Sequence, residues 1–298
     1  MHYEIVGTIL PDHPVWKKQK ERLLETDGKI ISVLPSLEFK KNLLKEEVNG
    51  INILDEVTKR SHDPESFLFF SKIPTASNAE VFVNGNWTIS IICDGDEIGT
   101  VSLYPNTRRH VKEVRYTNTD GSLDYIEEYA SDGKLFSMIF YHKGEIQEIA
   151  YMNDQKIPIV NNYFYDKQMN FVTVTNPQTF EVTEKYNNSL DFTAQQVANI
   201  VTEEDVVNFS FMGVELLSLS KTNSHNILHL EESPFDENGN VRGNLLGILE
   251  DRINYVQEVR MKKEYYDALK AQNFPINKVE MYEEPYVEEI PDSLATRE

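Results

Sequence analysis

Residues 115–157 read RYTNTDGSLDYIEEYASDGKLFSMIFYHKGEIQEIAYMNDQKI, and no other stretch of the chain limits its fold so strongly. Asp120-Gly121, Asp132-Gly133, Lys143-Gly144 and Asn153-Asp154 recur as turn signals between runs rich in Tyr, Phe, Ile and Val. Such dipeptides tolerate the positive φ that joins twisted antiparallel strands, so the stretch predicts consecutive hairpins. A spacing of roughly ten to thirteen residues lies far below solenoid periods, which points to hairpin geometry and not to a repeat array. Upstream, Pro74, Asn84-Gly85, Asp94-Gly95 and Pro105 punctuate similar β-rich runs. The series is expected to run from residue 67 to residue 186 without a helix.

In LDYIEEY, period-two alternation places Leu123, Tyr125, Glu127 and Tyr129 on one face and Asp124, Ile126 and Glu128 on the other. LFSMIFY is apolar on both faces. Such a strand belongs to a sandwich layer, or to a single sheet whose second face and edges meet something else. The Asp132-Gly133 turn brings the two strands side by side. Tyr125 with Tyr129, and Phe136 with Met138 and Phe140, are therefore expected to share faces and to form an apolar patch, a candidate partner-binding surface. The alternative is that the rest of the chain folds back over it.

The flanks have a different rhythm. Residues 3–10 read as a buried strand, and VWKKQKERLLETDG as a helix with Val15, Trp16, Leu23 and Leu24 on its inner face, closed by Gly28. KIISVLP is a second strand, LEFKKNLLKEEV is helical in composition, INIL is strand-like and SHDPES is a loop. Beyond Asn188, FTAQQVANIV, RGNLLGILEDRI and KKEYYDALKAQN read as helices, while NILHLEE, residues 255–260 and KVEMY read as strands. Alternating elements on both sides of an all-β stretch predict an α/β class with a large β insertion. The lobe is built from residues 1–66 and 187–298, and an antiparallel, mostly single-layer sheet of residues 67–186 interrupts it. The parallel core should include residues 3–10 and 226–230.

Composition narrows the function. Among 298 residues, 29 Lys and Arg face 49 Asp and Glu, a net charge of −20 that repels phosphate backbones, so no nucleic-acid partner is expected. The start MHYEIVGTIL is short and carries Glu4, which fits neither a secretory signal nor a transit peptide, and no apolar run is long enough to span a bilayer. A soluble, cytoplasmic protein is expected. Cys93 is the lone cysteine and has no partner for a disulfide or a CxxC metal site. The tail from Glu280 to Asp292, with its acids and prolines, reads as a solvated extension.

Catalytic signals are sparse. His225 and His229 in HNILHLEE suggest a metal, but on a strand i and i+4 lie about 13 Å apart, too far to share one ion. At the carboxyl end of a parallel strand, His229, Glu231 and Glu232 could instead line a cleft, or be no more than a polar strand end. Gly239, Gly243 and Gly247 precede a helix, and a loop explains them as well as an anion site does. GxSxG, P-loop and GxGxxG patterns are absent, and the paired acids Glu127-Glu128, Glu203-Glu204 and Glu283-Glu284 are ordinary solvated faces. No catalytic residue, cofactor or metal site is assigned.

The succession LFFSKIP, then VRYTNTDGSLDYIEEYASDGKLFSMIFY, then HNILHLEESPFDENGNVRGNLLGIL resembles a known family. It is the non-catalytic stabilising (chaperone) subunit of the bacterial O-glycosyltransferase pair that modifies serine-rich-repeat adhesins of the accessory Sec system. The likeness spans residues 67–282 and lies in order and texture. It implies a Rossmann-like, glycosyltransferase-B-type lobe interrupted by an extended β-sheet domain. It also implies a catalytic sister subunit that uses UDP-N-acetylglucosamine, a Ser/Thr-rich acceptor polypeptide as second partner, and membrane association only peripherally, through the complex. That family has a second Rossmann-like lobe, which this sequence does not supply. A second reading is the amino-terminal half of a catalytic retaining glycosyltransferase acting on a cell-wall polymer or protein. A third is a free-standing β-rich binding module.

Overall fold

The structure is a computed structural model that describes residues 1–283. The sequence first lays down β1 (His2–Val6), α1 (Pro14–Thr26), β2 (Lys29–Ser32), α2 (Phe39–Glu46), β3 (Gly50–Asn52) and α3 (Ile53–Thr58). The hairpin series follows as β4 (Ala79–Val83), β5 (Ile89–Cys93), β6 (Asp96–Leu103), β7 (Val111–Thr117) and β8 (Leu123–Tyr129). It continues with β9 (Leu135–His142), β10 (Glu145–Met152), β11 (Pro158–Tyr165), β12 (Gln168–Thr175) and β13 (Val182–Tyr186). The chain then returns to alternation with α4 (Ser189–Ile200), β14 (Val206–Phe209), α5 (Val214–Ser218) and β15 (His225–Leu230). It closes with α6 (Gly243–Leu249), β16 (Glu258–Lys262), α7 (Lys263–Ala271) and β17 (Val279–Tyr282). Most of the acidic tail expected to be solvated lies outside the described residues.

Two sheets result. Seven parallel strands pair in the order β17-β16-β15-β14-β1-β2-β3, and ten antiparallel strands in the order β13-β12-β11-β10-β9-β8-β7-β6-β5-β4. The antiparallel sheet is an open meander with β13 and β4 as its edges, and the only helical turn before it in residues 67–78 is a 3-10 turn at Phe70–Lys72. One shared core joins the sheets. Ile5, Val207, Phe209 and Leu228 of the parallel sheet belong to the same buried cluster as Phe136, Tyr151, Val160, Val172 and Tyr186 of the antiparallel one, with Phe192 of α4 among them.

Several local expectations are corrected. β1 stops at Val6, because the chain turns through Gly7 and Thr8 towards Pro11; Ile9 stays buried while Leu10 is exposed. In α1 the inner face is Val15, Trp16, Gln19 and Leu23, and Leu24, a single residue further round, is 64% exposed. INIL is split: Asn52 ends β3, and its side chain accepts the Leu54 N–H, so that Ile53 and Leu54 begin α3. VVNF, which carries no turn or periodic signal of its own, is the central strand β14.

A further correction concerns the patch. β9 bulges between Leu135 and Ser137, where Tyr129 opposes Leu135 and Glu128 opposes Ser137. The extra residue flips the alternation. Phe136 therefore turns into the shared core, edge-on to Tyr151 at 5.7 Å, while Met138 and Phe140 face the other way with Tyr125 and Tyr129.

The Asp132-Gly133 turn presses on the segment that precedes the sheet. Gly133 has φ +80° and a Cβ there would lie 2.1 Å from Leu68 N, whereas Gly121, at the same φ, has open space. Gly121→Ala should therefore cost only the strain of a left-handed residue, about 1–2 kcal/mol. Gly133→Ala should cost clearly more, because backbone must move. Urea midpoints compare the two, and equal losses would mean that the segment yields freely.

Candidate functional site

Chain order places the crevice. β1 is followed by β2 on one side of the parallel sheet, and β14 by β15 on the other, so the chain diverges between the adjacent strands β1 and β14. Crevices beyond the carboxyl ends of such diverging strands are the usual ligand sites of open parallel sheets. Here there is a cavity of about 400 Å³ with Gly7, His13, Trp16, Gln19, Phe211 and Glu215 among its walls. A second cavity of about 350 Å³ shares Phe211 and Gly213 with it and reaches Glu232, Arg242 and Asn244.

α1 supplies one wall. His13 Nδ1 accepts the Val15 N–H at 3.3 Å as the helix cap, Pro14 fits the first helical position, and Trp16 and Gln19 follow on the buried face. Trp16 Nε1 donates to Glu46 at 3.0 Å, which fixes the ring. α5 supplies Glu215, only 3% exposed. Its Oε1 accepts the Gly7 N–H at 2.9 Å, and its Oε2 accepts the N–H groups of Ser210 at 3.2 Å and Phe211 at 2.9 Å. One carboxyl thus clasps the loops that follow β1 and β14. Burial outweighs these three donors, nearby Glu4 adds repulsion, and the carboxyl is pushed up to about 7.

Below the crevice, Arg22 donates to Glu4 at 2.6 Å and to Ser210 Oγ at 3.0 Å, and lies 3.7 Å from Glu231. Lys18 pairs with Glu231 at 2.6 Å. Glu4 is almost fully buried, and burial raises its carboxyl despite Arg22.

The state of Glu215 sets a pH dependence. The folded protein holds this proton more tightly than the unfolded chain, so the stabilisation is fully present below pH 4.5 and is lost as pH rises through about 7. A raised value of this size corresponds to about 3 kcal/mol at most. Urea midpoints of the wild type should fall relative to those of Glu215→Gln across that window; parallel curves would refute the assignment.

The residues expected to line a cleft separate in space. Glu232 borders the second cavity and pairs with Arg242 at 2.8 Å. Glu231 belongs to the ion cluster with Lys18 and Arg22. His229 is buried within the sheet, 2.9 Å from Asn208, and burial with Arg22 and Arg260 pushes it down to about 2, so it stays neutral. His225 is exposed and lies 3.6 Å from Glu258. No group of three or more His, Cys, Asp or Glu among the described residues could hold a metal ion.

The second candidate surface is a face of the antiparallel sheet. Strand registers align Tyr116, Tyr125, Phe140, Glu148, Tyr163 and Phe171 in one cross-strand row. Tyr116 and Tyr125 stack at 4.6 Å, Tyr125 and Phe140 lie 6.2 Å apart, Tyr163 and Phe171 4.8 Å, and Lys185 sits 4.3 Å over Phe171. Further along this face, Leu68, Phe70 and Ile73 of the preceding segment pack on Val111, Val114 and Tyr129, which are buried. Tyr125, Met138, Phe140, Tyr163 and Phe171 remain half-buried. Tyr129 donates to Glu127 at 2.7 Å, and burial raises the Glu127 carboxyl. Reasoning from sequence found Tyr125, Tyr129, Met138 and Phe140 on this face. It missed Tyr163 and Phe171, which only the register of β10 to β12 brings into line. It also missed Gln19 and Glu215, because β14 was unrecognised and the crevice could not be located.

A parallel α/β lobe carrying an inserted, ten-stranded antiparallel sheet is a fold found among glycosyltransferases and accessory-secretion proteins. No known family matches the sequence, and no curated protein does. Among solved structures, that of accessory secretory proteins 1, 2 and 3 from Streptococcus pneumoniae aligns with a TM-score of 0.72 at 14% identity, covering 95% of this chain and 62% of the other. A GtfA/B complex bound to UDP and GlcNAc aligns at 0.65 with 18% identity, covering 96% and 62%. The pneumococcal O-GlcNAc transferase GtfA with UDP and GlcNAc aligns at 0.72 with 11% identity, covering 95% and 60%. These neighbours are the accessory-secretion and glycosyltransferase assemblies to which the sequence resemblance pointed. At such identities the likeness is one of fold, and the chain spans about three fifths of the length of the chains it matches.

Proposed function

We propose that this chain is a non-catalytic subunit that stabilises a partner O-GlcNAc transferase and binds the Ser/Thr-rich acceptor polypeptide of an adhesin. Its lobe would then be the first, Rossmann-like half of a glycosyltransferase-B-type protein. The observation that carries the reading is the half-buried aromatic row on the open sheet. An aromatic row of this kind, interrupted at Glu148, supports an interaction surface, and the solved structures with this fold include complexes of glycosylation and accessory-secretion proteins. Localisation with a cytoplasmic complex follows from the same reading. No described helix is long and apolar enough to cross a membrane.

The shared fold with a transferase bound to UDP and GlcNAc favours a second reading, the amino-terminal half of a catalytic retaining glycosyltransferase. Co-expression separates the two. The accessory reading expects the chain to co-elute with a glycosyltransferase encoded beside it, to raise that enzyme's soluble yield, and to release no sugar from UDP-N-acetylglucosamine alone. Sugar transfer by the chain's own full-length product would establish the second reading instead.

A further inference from the structure

The centre of the aromatic row carries a charge that the rest of the chain leaves unanswered. Glu148 of β10 stands between Phe140 of β9 and Tyr163 of β11. Among the described residues its carboxyl has no hydrogen bond and no ion pair, and burial alone acts on it, favouring the protonated form. Two residues further along each strand, the same face presents Ala150, Asn161, Thr173 and Lys185 as the next cross-strand row. Asn161 is 7% exposed and Thr173 5%, yet Asn161 Oδ1 and Thr173 Oγ1 reach no partner. Ala150 adds only a methyl group, so no large side chain separates Glu148 from Asn161, its diagonal neighbour. Lys185 lies 4.3 Å over the Phe171 ring and serves none of these oxygens. Half-buried and buried acceptors left open need donors. An ammonium would meet them as a point charge. A guanidinium has five donors and no acceptor, and its plane can lie on a ring while it serves a carboxylate and an amide oxygen together.

We propose that this face receives an arginine of the docked glycosyltransferase subunit, its guanidinium paired with Glu148, donating to Asn161 Oδ1 and lying against Tyr163. The occupant rests on the accessory reading above, to which the site adds the chemistry that selects the partner. A purely apolar cover would strand the Glu148 carboxylate without a counter-charge, so the face discriminates against it. A second copy of this chain is disfavoured too, since two molecules at −20 repel each other.

The sign of one substitution tests this. Calorimetric titration of the chain with the glycosyltransferase encoded beside it should show Glu148→Gln weakening the complex about ten- to a hundredfold, the loss of charge-assisted hydrogen bonds. The urea midpoint of the free variant should hold or rise, because nothing in the free chain pairs with the carboxylate. Were the cover to bring no cation, the same variant would bind equally well or more tightly, since a stranded carboxylate only opposes docking; that result overturns the proposal. Glu148→Arg should abolish association, and in a scan of the partner's surface one arginine-to-glutamate change should restore it. Restoration by a lysine-to-glutamate change alone, or by none, would refute the guanidinium. A dimer of this chain alone that Glu148→Gln dissolves would make the occupant a second copy and refute it as well. An unsubstituted chain that does not associate with the glycosyltransferase removes the accessory reading together with the arginine, whereas association untouched by Glu148→Gln removes the arginine alone.

Discussion

Arg60→Ala is expected to lower the unfolding free energy by about 3–5 kcal/mol, the range for orphaning one member of a buried ion pair. The Arg60 side chain is 4% exposed, 3.6 Å from Asp55, and its Nη1 donates to the Leu135 carbonyl at 2.6 Å. Its guanidinium also lies 5.1 Å from the centre of the Phe136 ring. It is thus a rivet between the end of α3 and the bulged start of β9. Around it Asp132 lies 3.6 Å from His62, and Lys134 bonds Ser61 at 2.6 Å and Asp154 at 3.1 Å. Burial already raises the Asp55 carboxyl, and without Arg60 that group must ionise unpaired or take up a proton. Arg60→Met combined with Asp55→Leu should recover at least half of the loss, since neither charge is then stranded. Urea unfolding measures both variants. A loss under about 1 kcal/mol for the single variant would show that the join between lobe and sheet does not depend on this pair.

How much of this was legible follows the physics of each signal. The meander was readable because its turn chemistry is local: Gly121 and Gly133 supply the positive φ, and the Asp120 and Asp132 side chains accept the N–H two residues on. Helix α1 was readable from its periodicity, apart from Leu24, whose position depends on the phase of the helix, and its left-handed cap falls on Asp27, one residue before the expected Gly28. The face of Phe136 was not readable. A bulge is created by the pairing of β9 with β8 and leaves no compositional mark in LFSMIFY, so strict alternation placed Phe136 one face out. β14 was missed because VVNF is short and is preceded by Glu203, Glu204 and Asp205 rather than by a glycine or proline turn signal, and without it the divergence beside β1 could not be seen. The crevice was invisible for the same reason. Glu215 looked like one more acid in a chain of net charge −20, and only the folded loops bring three N–H groups to it.

On the accessory-subunit reading proposed above, Tyr125→Asp combined with Phe140→Asp is expected to abolish association with the catalytic partner while leaving the parallel lobe folded. Both residues are half-buried members of the row, and neither belongs to the core that joins the two sheets. That core draws instead on Phe136, Tyr151, Val160 and Val172, which turn the other way. Two central aromatic anchors at about 2 kcal/mol each correspond to a weakening of two to three orders of magnitude, enough to remove co-elution on a sizing column. Introduced carboxylates act doubly here: they remove ring area, and they set new negative charge beside Glu127 and Glu148, which burial already disfavours in ionised form. Phe136→Asp is the matched control. It lies in the same strand as Phe140 but faces the shared core, 3% exposed, so it should unfold the chain rather than merely detach the partner. A double variant that melts with the control would place the row within the folding core. A double variant that folds and still co-elutes would put the interface elsewhere on the sheet, with β4 and its exposed Phe82 and Val83 the next surface to alter.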